Sequence, residues 1–317
     1  MAHLPTRSIA TAAIVLMLCA PVGAAFATPG SFSAPPGRTP KPQTLADLRQ
    51  SMGGEAFAYA SYRLYGVQAR REGRKTVARL FDRTATVELR EHFAEEAKLS
   101  GLPRGDVAAL RDAIAGESYE HGTMYPRFAR EAKIDGDREA AARFAEIARD
   151  EGTHLRAFRA ALRVVETGHG KVPAPPKVEA VQVPAGPRKV RAKRTLRNLD
   201  TAMRGEAMAH AKYLWFARHV RNRAVARLFR GAAAVELREH FAAEARLRGF
   251  VGKTRANLTK AVAGEWYESR MIYPTFARRA KKVGDVKVAA LFRHNARDEA
   301  GHARAFERAL KALGQGK

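Results

Sequence analysis

Ala-Gly-Glu-Ser-Tyr-Glu-His-Gly-Thr-Met-Tyr-Pro, residues 115–126, returns as Ala-Gly-Glu-Trp-Tyr-Glu-Ser-Arg-Met-Ile-Tyr-Pro at residues 263–274. Each copy sets two glutamates three apart, Glu117/Glu120 and Glu265/Glu268. On a helix that spacing stacks both carboxylates on one face. A Glu-x-x-His follows downstream of each, Glu151/His154 and Glu299/His302. Carboxylate-bearing helices facing helices with Glu-x-x-His-type pairs build a carboxylate-bridged two-metal site inside a four-helix bundle.

Working outward, the repetition extends over most of the chain. Val77-Ala-Arg-Leu-Phe81 recurs as Val225-Ala-Arg-Leu-Phe229, and Val87-Glu-Leu-Arg-Glu-His-Phe93 recurs unchanged at residues 235–241. The offset is 151 residues from Glu55 to Glu206 and 148 from Glu88 to Glu236, so the first repeat carries three extra residues near its first turn. One helical unit is used twice, at 44–166 and 195–317. Leu, Phe, Ala and Tyr recur at intervals of three and four, the period of an amphipathic helix. The first repeat divides into helices near 45–71, 75–99, 106–134 and 137–165, punctuated by Gly73, Gly101 and Asp135-Gly136-Asp137. Pro126 and Pro274 each remove a backbone donor from the third helix and should bend it.

Between the repeats, residues 167–194 are rich in Pro, Val and Lys without helical period, and read as a basic linker. Residues 28–43 read as a flexible leader. Ahead of it, Arg7 precedes an apolar run at 9–19, and Ala25-Phe26-Ala27 offers a small-x-small cleavage site. These features predict a signal peptide over 1–27 and export to the periplasm or the extracellular space. Cys19, the single cysteine, lies within that signal. Thiolate metal sites, disulfides and cysteine nucleophiles are thereby excluded from the remainder, and metal chemistry must use oxygen and nitrogen ligands. The net charge of +25 allows attraction to an anionic surface through the basic linker. No aromatic-studded basic motif points to specific nucleic-acid reading.

Every helix supplies a candidate ligand, at matching positions in both copies. The first helices give Glu55 and Glu206; the second give Glu88, Glu91 and His92, repeated as Glu236, Glu239 and His240. A lone mid-helix glutamate is ordinarily solvated. Several carboxylates gathered in one core cost several kcal/mol each unless cations join them. Asp150 and Asp298, each just before the fourth-helix glutamate, are candidate acceptors for an imidazole N–H.

With these residues in place, both repeats resemble the ferritin-like domain of the rubrerythrin family, non-haem di-iron proteins that reduce peroxide. Gly-Glu-x-Tyr-Glu followed by Met-Tyr-Pro carries the resemblance, which spans all four helices of each copy. It implies two non-haem di-iron centres, with manganese as an alternative metal. The first ligand set is Glu55, Glu88, Glu117, Glu120, Glu151 and His154; the second is Glu206, Glu236, Glu265, Glu268, Glu299 and His302. It also sets Tyr62, Tyr125, Tyr213 and Tyr273 close to the metals, as hydrogen-bonding or electron-supplying groups. The family's second helix reads Glu-x-x-His, whereas here the third position after Glu88 is Glu91 and His92 comes one later. Either the glutamate replaces the imidazole or the helix shifts to present the histidine. The gap-free flanks favour Glu91 and Glu239. The thiolate-bound iron module of many family members is absent, which implies an external electron donor. The implied activity is reduction of hydrogen peroxide or activation of oxygen; ferrous-iron oxidation and non-catalytic metal binding are the alternatives.

Topology follows from length. A second helix of about 25 residues is about 38 Å long. The connection to the third helix holds about seven residues and reaches at most about 25 Å. It cannot run back along the bundle. The expected fold is all-α, two ferritin-like four-helix bundles in which the repeats exchange helix pairs as an intramolecular pseudo-dimer. An up-down-up-down bundle within each repeat is the alternative.

Overall fold

The computed structural model describes residues 39–315. The expected signal peptide and nearly all of the leader lie outside them. Among the described residues there is no strand, and no helix is long and apolar enough to cross a membrane.

The first repeat opens with α1 (Pro42–Arg71), where proline occupies the first turn and its missing N–H costs nothing. One long rod follows, made of α2 (Lys75–Val87), a π-helical segment at Glu88–His92 and α3 (Phe93–Ser100). It ends at Gly101, whose φ of 73° is a left-handed cap that other residues resist. A second rod comprises α4 (Asp106–Tyr119), a π segment at Glu120–Met124 and α5 (Tyr125–Ile134). The fourth helix, α6, spans Arg138–Thr167. The second repeat matches it with α7 (Lys193–His219), α8 (Arg223–Val235), a π segment at Glu236–His240 and α9 (Phe241–Arg248). Then come α10 (Thr254–Tyr267), a π segment at Glu268–Ile272, α11 (Tyr273–Lys282) and α12 (Val286–Gln315). The three extra residues of the first repeat lengthen its opening helix, 30 residues in α1 against 27 in α7, and leave the turn after it unchanged. Pro126 and Pro274 stand in the first turn of α5 and α11, just after a π segment.

The repeats exchange halves. α1 and the α2–α3 rod pack with the α10–α11 rod and α12, and α7 with the α8–α9 rod packs with α4–α5 and α6. The aromatic cores show the exchange directly. Tyr62 and Phe81 enclose Phe306, with centroids 5.3 and 5.1 Å from it, and Tyr213 and Phe229 enclose Phe158 at 5.4 and 5.1 Å. Each fully buried phenylalanine is worth about 1.5–3 kcal/mol, so the exchanged interface is the core itself. α1 and α7 pack on one another between the bundles, where His210 stacks on Tyr59 at 5.3 Å.

Residues 168–192, expected to be a loose linker, form a strap against the second bundle. Val183 and Val190 are buried. The Val181, Gly186 and Lys189 amides donate to the carbonyls of Arg238, Val251 and Leu247. The strap needs room where Pro175 and Pro176 cross α8, and Gly231 gives it; a Cβ there would stand 2.9 Å from Pro176 Cδ. The corresponding residue of the first repeat is Arg83, which is exposed. Part of the strap's basic charge is consumed internally, Lys189 Nζ lying 2.8 Å from Glu139.

Candidate metal centres

The exchange brings ligands from opposite ends of the sequence together. In site I, Glu55 (α1), Glu88 and His92 meet Glu265 (α10), Glu299 and His302 (α12). In site II, Glu206 (α7), Glu236 and His240 meet Glu117 (α4), Glu151 and His154 (α6). Each site thus mixes residues of both repeats, as the expected exchange of helix pairs requires, and the single-repeat sets implied by the resemblance are divided between the two sites.

Within site I two overlapping groups form, Glu55/Glu88/His92/Glu299 and Glu88/Glu265/Glu299/His302. Glu88 and Glu299 belong to both, the arrangement of two carboxylates bridging a pair of cation positions. Site II repeats it with Glu151 and Glu236 shared. His92 Nδ1 is 3.0 Å from both Glu88 Oε2 and Glu299 Oε1, and 3.5 Å from Glu55 Oε2. His240 Nδ1 is 3.0 Å from Glu236 Oε2 and Glu151 Oε1, and 3.6 Å from Glu206 Oε2. Glu268 and Glu120 lie beside the helix-α1 and helix-α7 ligands. A Cβ on Gly54 would come within 3.4 Å of Glu268 Oε1, and one on Gly205 within 3.4 Å of Glu120 Oε1.

The expectation that Glu91 and Glu239 face the metals is corrected by the π segments. In each, the amide after the segment bonds five residues back, Phe93 to Glu88 and Phe241 to Glu236. The wider turn rotates the third residue after the glutamate off the site and keeps the fourth on it. His92 and His240 are accordingly buried at the centres, Glu91 is exposed, and Glu239 accepts the strap's Glu179 amide at 2.9 Å.

Three of the four tyrosines reach a site carboxylate. Tyr62 donates to Glu265 and Tyr125 to Glu206, and Tyr213 lies 2.5 Å from Glu117 Oε1. Tyr273 instead lies 3.3 Å from Glu96 Oε1. Asp298 Oδ2 is 3.4 Å from His92 Nε2 and Asp150 Oδ2 is 3.7 Å from His240 Nε2, each aspartate facing the histidine of the other repeat. Sequence reasoning missed Glu96 and Glu244, both fully buried. Their signal was present: each stands four residues after a site histidine, on the same helix face. His210 is buried but is not a ligand; burial lowers it to about 4, leaving a neutral ring whose Nδ1 meets Ala233 O at 2.6 Å.

Electrostatics show what the cavities hold room for. Burial and the Glu299 charge raise Glu55 well above the carboxylate range, and burial with the Glu151 charge raises Glu206 to about 8. Burial would raise Glu88 too, but hydrogen bonds from His302 and His92 hold it at about 2. Burial would lower His154, yet the Glu236 charge and a bond to Glu151 lift it to about 10. No lysine or arginine forms an ion pair with any of these carboxylates among the described residues. Glu88 Oε1, Glu265 Oε2, Glu299 Oε1, Glu117 Oε2, Glu151 Oε1 and both Glu236 oxygens are buried with no neighbouring donor but a histidine Nδ1 shared among several carboxylates, 3.0–3.7 Å away. Such groups are expensive to leave unpaired. A pair of divalent cations in each site would satisfy them, so the residues fit the group.

The sites differ in cover. The strap lies over site II, where Ala174 and Pro176 line a partly open cavity of about 70 Å³ beside Thr153 and His154. The His302 side chain of site I is 16 % exposed against 5 % for His154.

Comparison with known proteins agrees with this geometry. The family model described as Rubrerythrin matches residues 89–162 and 256–317. The chain is 34 % identical over 139 residues to a rubrerythrin of Porphyromonas gingivalis, covering 40 % of this chain and 69 % of that protein. It is 32 % identical over 136 residues to nigerythrin of Nitratidesulfovibrio vulgaris, covering 39 % and 67 %. It is 33 % identical over 139 residues to a rubrerythrin of the same organism, covering 40 % and 72 %. No solved structure matches. A twice-repeated helical unit whose carboxylates and histidines converge pairwise in two buried centres, matched by these relatives, makes this chain a member of the rubrerythrin family.

Proposed function

We propose that the chain is an exported di-iron oxidoreductase that reduces hydrogen peroxide to water with electrons from an external donor. The observation that carries this reading is the pair of overlapping ligand groups in each site, sharing two glutamates. A carboxylate-rich set with one imidazole per position suits iron or manganese, and family membership favours iron. Export rests on Arg7, the apolar run at 9–19 and the Ala25-Phe26-Ala27 site.

Held by these residues, an iron pair would supply the two electrons that, with two protons, convert one peroxide to two waters. The chain's own groups set the conditions. The glutamates shared by both groups would hold the two positions adjacent, and the hydroxyls of Tyr62 and Tyr213 orient Glu265 and Glu117. The phenylalanine cores keep bulk water from the centres. Protons have a path into site I, where Asp298 Oδ2 stands between His92 Nε2 at 3.4 Å and the exposed His294 Nε2 at 3.3 Å. The reading takes its electrons from an external donor, since residues 1–317 hold no cysteine beyond Cys19 to bind an iron–thiolate centre. The net charge of +25 favours an acidic one.

The test is anaerobic ferrous loading followed by peroxide or oxygen. About two iron pairs per chain, oxidised faster by peroxide than by oxygen, are expected. Continued consumption of ferrous iron with oxygen would replace this reading with ferroxidase activity. Failure to hold iron would end it.

A further inference from the structure

The two repeats carry the same ligands but not the same surroundings. In site I three groups converge on the buried Glu96: Ser51 Oγ at 2.5 Å, Asn295 Nδ2 at 3.0 Å and Tyr273 OH at 3.3 Å, all to Oε1. Ser51 Oγ also lies 3.1 Å from the Tyr273 hydroxyl. Tyr273 is therefore held within the Glu96 network. In site II the residues corresponding to Ser51 and Asn295 are Ala202 and Ile147, which can donate nothing. Among the described residues Glu244 has Tyr125 as its one hydrogen-bond partner, 3.0 Å away, and the same hydroxyl reaches the ligand Glu206.

We infer that the two centres are not redox equivalents: Tyr125 bonds the terminal ligand of site II, Ser51 and Asn295 keep Tyr273 off the corresponding ligand of site I, and site II is reduced first. The physical reason lies in the carboxylate. A hydroxyl donating to Glu206 draws electron density from it, so it stabilises a ferric ion less than Glu55 does, and the ferrous state gains. Ser51 and Asn295 act through Tyr273 and touch no ligand, which makes them positioning residues. A chain that binds its own second copy must keep its two sites alike; a fused tandem is free to separate them.

This inference rests on the di-iron reading, and its test separates the two. The full chain is loaded with ferrous iron, counted and oxidised, then poised at a series of potentials with mediators while Mössbauer spectra give the ferrous fraction. An iron count short of two pairs defeats the di-iron reading itself. With both pairs present, the ferrous fraction should rise in two equal steps. Tyr125→Phe should move the upper step down and leave the lower one in place. Ser51→Ala with Asn295→Ile should move the lower step up. Reduction of the wild type in one step, or a Tyr125→Phe shift of both halves or neither, overturns the inference. The ferric–ferrous intermediate of each pair broadens both halves alike, so the variants carry the assignment.

Discussion

His92 Nδ1 and Glu299 Oε1 lie 3.0 Å apart, although one comes from the second helix of the first repeat and the other from the last helix of the chain. Metal loading should report this pairing. His92→Ala and Glu299→Ala are each expected to remove about half the bound metal, and the double variant to remove no more, because both act on one centre. His92→Ala with Glu151→Ala should empty both. Metal analysis of the four variants checks this, and half-loading of the His92/Glu151 pair would place the ligands within single repeats instead.

Metal binding should strengthen as pH rises. In the metal-free protein burial and the Glu151 charge raise Glu206 from its ordinary 4.5 to about 8, and neighbouring glutamates lift His154 from 6.5 to about 10 against burial. Both groups keep a proton through neutral pH that an incoming cation must displace. Proton release on loading in weak buffer, and affinity rising between about pH 6 and 8, are the expected readouts.

The same two shifts set the stability of the metal-free fold. Glu206, raised, costs stability progressively as pH climbs from 4.5 to about 8. The His154 contribution is complete below 6.5 and is lost as pH rises through about 10. The metal-free melting temperature should therefore fall between about pH 6 and 9 while that of the loaded protein does not. Thermal melts across that range decide it; a metal-free protein that gains stability with pH contradicts the assignment.

Gly152 and His121 form a size-matched pair. A Cβ at 152 would stand 2.7 Å from His121 Cε1, and the ring's Nδ1 meets Ala148 O at 2.6 Å. The second repeat solves the same problem with Ser269, bonded to Ala296 O at 2.7 Å, opposite Ala300. Gly152→Ala should cost about 1–3 kcal/mol by overpacking. Adding His121→Ser should restore most of it, and denaturant melts of the single and double variants measure the coupling.

The strap gives a fifth expectation. Gly231→Ala would drive a methyl group into Pro175 and Pro176. Residues 168–180 should then become protease-sensitive, at a stability cost of about 1–3 kcal/mol. Arg83→Ala, at the corresponding exposed position, should change neither, and limited proteolysis compares them.

The chain's sequence by itself determined the helices, their duplication and the ligand types, and pointed to the helix exchange over a bundle within each repeat. The reasons are local and arithmetic: an apolar period of three to four, glycines at helix ends, and a connection at 101–105 too short to run back along a long rod. What only the tertiary structure decided is which side of a turn faces the metals and what covers each site. The π turn at Glu88–His92 takes one residue more than an α turn, so His92 is buried and Glu91 is exposed. A helical period assumed constant places Glu91 there instead. The strap over Gly231, the buried Glu96 and Glu244, and the Ser51–Asn295 network around Tyr273 depend on residues 45 or more positions apart meeting in the folded chain. No local periodicity encodes such meetings, because they arise when buried donors and acceptors must find one another in a core without water.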